Sequence, residues 1–240
     1  MSGYVDLHVH LLPGVDDGAR TMDDALAMAK TLVSLGFTAA APSPHNRPEY
    51  QPREVCDARR LEVAQALGQE GVALTLDTNA ENFFLDEGLL ATAATPDGRR
   101  MGAAGKYLLV EAPYTSPLPM LREMIFRIKL KGVTPVIAHP ERCLEFERPG
   151  SAAAAVASGA LLQLDIAAVT GRYGGTAKKL AHQFLDEGLY AIAASDMHSP
   201  VGAKEWLDKA MRELDKRVGT VAFADLLAKN PARILKGEPF

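Results

Sequence analysis

Cysteine occurs only twice, at Cys56 and Cys143, so a disulfide framework is not expected and a reducing cytoplasm is the simple setting. Neither cysteine suits a thiolate phosphatase, which needs an arginine six positions on. Glu62 stands there for Cys56 and Pro149 for Cys143, with Arg148 one position short. Both cysteines therefore read as small packing residues. No apolar run approaches the roughly 20 residues needed to span a bilayer, so no membrane insertion is expected. The first residues lack a basic stretch followed by an apolar one, so no signal peptide is expected. Positive charge is not in excess either. With 26 Lys and Arg against 30 Asp and Glu, a nucleic-acid backbone is a poor partner. No strand is followed by GxGxxG or GxxxxGK[ST], which counts against nucleotide binding.

What is present is a soluble globular composition, 48% hydrophobic and 23% charged. A chain of 240 residues can bury roughly 70–75% of its unfolded surface without staples. One device recurs. A helical stretch ends at glycine and an apolar strand follows at once: SLGFTAAAP, QEGVALTLDT, LKGVTPVIAH, ASGALLQLDI and DEGLYAIAAS. Glycine accepts the left-handed conformation that follows a helix. Near-continuous apolar strands suit a parallel sheet covered on both faces. With YVDLHV and KYLLVEA there are seven candidate strands. Helices are expected over DDALAMAKTLVSL, 52–69, PMLREMIFRIKLK, SAAAAVAS, 176–187, 203–217 and 220–228. Thr21 with Asp24 resembles a capping box, Pro119 suits a first helical turn, and Ser151 suits a cap. No linker or repeat divides the chain, so residues 1–240 read as one α/β domain. A distorted (β/α)7 barrel is favoured over an open doubly wound sheet.

The ends of these strands carry the polar residues. Strand one delivers Asp6, His8 and His10, with Asp16-Asp17 close behind. Strand two ends at His45, strand three at Glu81 and strand four at Glu111. Strand five ends at His139, followed by Glu141 and Arg142. Strand six ends near Asp165, and strand seven at Asp196 and His198. Five of the six histidines fall in this set; only His182, inside a helix, does not. Alternation along a strand would place His8 and His10 together on the inner face. In a barrel the site lies at the C-terminal ends of the strands, so all these groups share one rim. A single His or Glu there reads equally well as a structural residue. Together, unpaired buried carboxylates and imidazoles would cost several kcal/mol, and divalent metal resolves that cost. Nine ligands, His8, His10, Asp17, His45, Glu81, Glu111, His139, Asp196 and His198, suggest two or three ions. With no thiolate among them, manganese, iron or zinc would fit.

The ordered motifs DLHVH, DDG, PSPH, AE, VE, AHPER and SDMH resemble the polymerase-and-histidinol-phosphatase (PHP) superfamily. More narrowly, they are similar to the bacterial manganese-dependent protein-tyrosine phosphatases of capsule and exopolysaccharide synthesis. The likeness runs from Val5 to the NPARIL motif. Asp17 in VDDG favours this branch, because the histidinol phosphatases usually have histidine near that place. Ala80, where relatives often have glycine, and Pro140, beside His139, depart from the pattern without removing a ligand. The segment 92–105 matches no motif.

The resemblance implies a trinuclear centre. His8, His10, Glu81 and Asp196 would hold the first ion; Asp17, His45 and His198 the second; Glu81, Glu111 and His139 the third. Arg142 would contact the substrate phosphate, Arg47 would assist, and His45 or His198 would serve as general acid. The implied substrate is phosphotyrosine on a protein, such as the C-terminal tail of a bacterial tyrosine kinase. The other readings are a small-molecule phosphoesterase for histidinol phosphate or a sugar phosphate, a metal-dependent amidohydrolase, and a non-catalytic metal-binding module. The amidohydrolase reading lacks a lysine at a strand end to carry the usual carboxylate bridge.

Overall fold

The computed structural model describes residues 3–83 and 87–240. All ladder pairings between its strands are parallel. One sheet runs β1 (Tyr4–Asp6), β2 (Phe37–Ala40) and β4 (Thr75–Leu76). The other runs β3 (His45–Asn46), β5 (Glu81–Phe83), β6 (Tyr107–Glu111), β7 (Thr134–Ala138), β8 (Leu161–Asp165) and β9 (Tyr190–Ala194). The second and third expected strands are thus each broken in two. Their second halves, β3 and β5, re-pair at the rim, with His45 opposite Glu81. The seven expected strands and the distorted barrel are both present in this form.

The helices are α1 (Met22–Ser34), α2 (Arg53–Gln69), α3 (Glu87–Thr92), α4 (Leu121–Leu130), α5 (Ser151–Ala157), α6 (Gly174–Asp186), α7 (Ala203–Ala224) and α8 (Asn230–Lys236). None of the described helices is long and apolar enough to cross a membrane. The Thr21–Asp24 capping box forms at the start of α1. Two expected caps do not. Gly150, at φ 79°, is the cap of α5, and Ser151 is its first residue with a buried hydroxyl that meets no partner. The α4 helix begins at Leu121 behind Met120, so Pro119 precedes the cap instead of filling the first turn. The two last expected helices run together as α7, broken at Gly219 (φ 79°, ψ 156°), and continue into a π turn over Asp225–Lys229.

Packing separates into two layers. Val5, Leu7, Tyr107, Leu109, Val136, Ala138 and Ile192 pack together inside the barrel, with Ile234 of α8 among them. The alternate strand residues Leu108, Val110, Ile137, Leu162, Leu164 and Ala193 pack outward against helix residues such as Met28, Leu32, Ile125, Phe184 and Leu207. Both cysteines are buried and unpaired.

This parity corrects one expectation. Val5 and Leu7 are the inward residues of the first strand, so continued alternation would turn His8 and His10 outward. The regular strand stops at Asp6 instead. The Asp6 carboxylate accepts from the His8 amide at 3.1 Å and bends the chain. It also accepts from the Ser195 amide at 3.2 Å and the Ser195 hydroxyl at 2.6 Å, tying the first strand to the last. The Asp196 amide then donates to His8 O, and the His10 amide to Met197 O, which closes the barrel at its rim. Burial pushes the Asp6 carboxyl up to about 6 even against these donors. Asp6→Ala would leave three buried donors without an acceptor, so it should cost about 3 kcal/mol and lower Tm by roughly 6–10 °C. Differential scanning calorimetry checks this; a loss under about 2 °C would show that the bend is held by other contacts.

Candidate metal centre

All nine expected ligands meet at the rim. Their donor atoms form four groups, within each of which the atoms lie within 4.8 Å of one another. The groups are His8, His10 and Asp196; His8, Glu81 and His139; His45, Glu81 and Glu111; and His10, Asp17, His45 and His198. Glu81 is the common member of the middle two. Its carboxylate lies 3.4 Å from His8 Nε2, 3.6 Å from His10 Nε2, 3.0 Å from His45 Nδ1 and 3.0 Å from His139 Nε2. Glu111 stands with His45 and Glu81, while His139 stands with His8 and Glu81.

Local structure puts these side chains there. His139 (φ 31°) and Asp196 (φ 48°) have left-handed backbones immediately after β7 and β9, a conformation costly for residues with a Cβ. Each swings its side chain back over the barrel mouth where a regular strand would have passed on. Gly18 lets the Asp16-Asp17 turn lie against the first strand: a Cβ there would come within 2.3 Å of His10 O and 2.4 Å of His10 Cβ. His182, in α6, is far from this chemistry in role, with its Nε2 3.1 Å from the Val169 carbonyl.

The groups that orient these imidazoles lie outside the nine-donor set. Gln163 Oε1 lies 2.8 Å from His8 Nδ1. Asp16 Oδ2 lies 2.7 Å from His10 Nδ1, and the same carboxylate accepts from the His45 and Gly18 amides. Each leaves Nε2 of its histidine aimed into the cluster, the arrangement that fixes tautomer and direction of a metal-bound imidazole. The available signals were small: Gln163 is the lone amide in the apolar run LLQLDI, and Asp16 is the first aspartate of VDDG.

The electrostatics are those of a shared cation site. His8, His10, Glu81, Glu111 and His139 are each at most 2% exposed, too deep for water to offset their charge. Burial alone would lower His8, but the Glu81 and Asp196 carboxylates outweigh it and hold the imidazole at about 9. Burial would raise Glu81, yet the charge of the neighbouring His8 and the hydrogen bond with His139 hold it well below the usual carboxylate range. The exposed Asp17 is drawn down to about 2, chiefly by its hydrogen bond with His45. His198 moves the other way, lowered by burial and by the neighbouring His10 ring, which it stacks on at 3.9 Å.

Hydrogen bonding does not account for the cluster. Asp196 Oδ1 is buried without a hydrogen-bond partner although His8 Nε2 is 3.1 Å and His10 Nε2 3.4 Å away. His45 Nδ1 is likewise unpartnered at 3.0 Å from Glu81. His8 and His10 present Nε2 atoms to each other at 3.3 Å. Close donors without hydrogen-bond geometry are what a ligand set around cations gives. The residues therefore fit a metal group of nitrogen and oxygen donors.

Two arginines border the cluster. Arg142 Nη1 donates to Asp196 at 2.5 Å and Asp165 at 3.1 Å, and its guanidinium lies 4.1 Å from the ring centre of Tyr173 and 4.9 Å from that of Tyr114. Arg47 pairs with Glu111 and lies over Phe83. A cavity of about 260 Å³ adjoins Arg142, Tyr114 and Tyr173. Another of about 610 Å³ adjoins Arg47, Tyr50 and Phe83.

A parallel barrel whose strand ends gather imidazoles and carboxylates in this way is a PHP-type metallohydrolase. The chain belongs to the capsular polysaccharide synthesis CpsB/CapC family, whose model matches residues 4–236. It is 26% identical to the tyrosine-protein phosphatase YwqE of Bacillus subtilis over 98% of this chain and 92% of that one. Its fold superposes with a TM-score of 0.88 and 25% identity on a crystal structure from work on YwqE of Bacillus subtilis and CpsB of Streptococcus pneumoniae, described as metal-dependent tyrosine phosphatases; the match covers 98% of this chain and 96% of that one. A β-aspartyl dipeptidase of Fervidobacterium islandicum matches with a TM-score of 0.64 at 15% identity, over 98% of this chain and 73% of that one, a likeness of fold alone.

Gln163→Leu should leave the fold intact and free His8 Nδ1 from its partner. Metal affinity should fall about 10–100-fold, read by competition with a chelating dye. Unchanged affinity would mean that Gln163 does not orient the ligand.

Proposed function

We propose that this chain is a metal-dependent phosphatase that hydrolyses phosphotyrosine on a protein, the C-terminal tail of a bacterial tyrosine kinase that controls capsular or exopolysaccharide synthesis. The observation that carries the reading is the nine-donor cluster with Arg142 clamped at its edge. The names of the relatives supply the substrate class. The buried, unpaired cysteines suit work in the cytoplasm.

In this reading the centre holds three divalent ions, manganese first and iron or zinc as alternatives. His8, His10, Glu81 and Asp196 would hold one, Asp17, His45 and His198 another, and Glu81, Glu111 and His139 the last, for which Glu111, grouped here with His45 and paired with Arg47, would have to turn toward His139. The 3.0–3.6 Å approaches of Glu81 to four imidazoles support its place in two of these sets. When bound, such ions supply Lewis acidity toward phosphate oxygens and make water acidic enough to act at neutral pH.

The chain's own residues do the rest. Both carboxylate bonds of Arg142 use Nη1, so Nη2 and Nε remain to face a phosphate. Tyr114 and Tyr173 hold the guanidinium plane from the sides, so little side-chain freedom is lost on binding. Arg47 adds a second positive charge beside Glu111. His45 and His198 are the less buried imidazoles, on the side where Asp17 is exposed. Either would serve as general acid only where one of its nitrogens is free of metal; His198 Nδ1 already bonds the Asp196 carbonyl at 2.8 Å, and His45 faces Glu81 and Asp17 with its two nitrogens. Phenol has a pKa of about 10, so this help need only be modest.

Chelator-stripped protein should be inactive on a phosphotyrosine peptide and regain activity with manganese, with little turnover of a phosphoserine peptide or histidinol phosphate. Arg142→Ala should lower kcat/KM on the tyrosine peptide by about 10²-fold or more with metal content unchanged. Preference for histidinol phosphate would transfer the chain to small-molecule phosphoester hydrolysis. Loss of metal in Arg142→Ala would make that residue structural.

A further inference from the structure

A third cavity, of about 450 Å³, lies between α2 and the segment after α3, and its lining shares no residue with the nine-donor cluster. Its charge is one-sided. Arg53 and Arg60 reach it from α2 and Arg99 and Arg100 from the loop, against one carboxylate, Asp57. Asp57 is already engaged by Arg53 at 3.3 Å. Arg99 is 91% buried by its 9% exposure, and its Nη1 meets no hydrogen-bond partner; nor does Nε of Arg60 in the same wall, while the unpartnered Oδ1 of Asn79 there is an acceptor that calls for a donor on the bound molecule. Buried guanidinium nitrogens left unpartnered are costly in a folded protein and imply an absent acceptor.

The backbone points the same way. Among the described residues, three other than glycine have positive φ: His139 and Asp196 in the metal centre, and Arg99 at 47° in this cavity. Such conformations persist where the surroundings hold a side chain to a task. Gly105, itself at φ 57°, keeps the wall thin beside Arg100, whose Nε would lie 3.2 Å from a Cβ placed there.

We propose that this cavity binds a small molecule carrying a diphosphate. The guanidinium fork matches phosphate oxygens in pairs. One phosphate monoester brings about −1.5 to −2 charge at neutral pH, so the roughly +3 of four arginines and one aspartate calls for two phosphates. A volume of about 450 Å³ exceeds what inorganic phosphate needs and lies in the range of ordinary small-ligand pockets, roughly 300–1,000 Å³. The segment 92–105 supplies seven of its twelve lining residues.

Calorimetric titration of the manganese-loaded protein with pyrophosphate, and separately with ADP, tests this. Arg60 and Arg100 are only partly buried, so Arg60→Gln/Arg100→Gln is the variant to use; Arg99→Gln would confound binding with folding. The double variant should bind the diphosphate at least about tenfold more weakly, the loss expected when charge-assisted hydrogen bonds go, with its turnover of phosphotyrosine peptide unchanged. Arg142→Ala should bind it as the unaltered protein does. Three outcomes would overturn the proposal: no binding by the unaltered protein, equal binding by the double variant, or loss of binding in Arg142→Ala, which would put the probe at the metal centre. This site and the phosphatase reading fail independently, since one is read by binding and the other by turnover.

Discussion

Glu81 is 1% exposed and has four imidazoles within 3.6 Å. One buried carboxylate cannot satisfy four histidines by hydrogen bonding, because each neutral imidazole offers one donor and one acceptor, and the acceptors here face one another. The rim is therefore built against its own electrostatics. Protons on the imidazoles relieve part of the conflict, which is why His8 is held at about 9 and Glu81 far down. Divalent ions relieve it more completely, since they take neutral imidazole and carboxylate together.

The scaffold holds this conflict in place. Asp6 stops the first strand and joins it to Ser195, so His8 and His10 turn to the rim and the barrel closes beside them. Breaks in the second and third strands carry His45 and Glu81 into register. Left-handed residues at His139 and Asp196 return two more donors to the mouth. Beneath them the inner layer of Val5, Leu7, Leu109, Val136 and Ile192 is apolar, so strain at the rim rests on a packed core.

The strand-end positions of the nine candidate donors were legible because hydrophobic runs closed by polar residues mark the ends of buried parallel strands. All nine side chains read from those ends do converge. The orientation of His8 and His10 was not legible from alternation, because a side-chain hydrogen bond from Asp6 interrupts the strand, and such a bond has no periodic signature. Gln163 and Asp16 escaped for a related reason: each acts through another side chain, across 155 and 6 residues of sequence respectively. Ser151 failed as a cap because Gly150 takes the turn at positive φ. The arginine cavity is dispersed over α2 and a loop, and no run of charge announces it.

The central claim is that the rim is a centre for several ions and not a network of protonated histidines. Anomalous diffraction at the manganese edge from crystals grown with manganese tests it most directly. The account predicts separate peaks in the mouth of the barrel, one of them shared through Glu81, and occupancy near three ions per chain. A single peak away from Glu81, or none at saturating manganese, would contradict it.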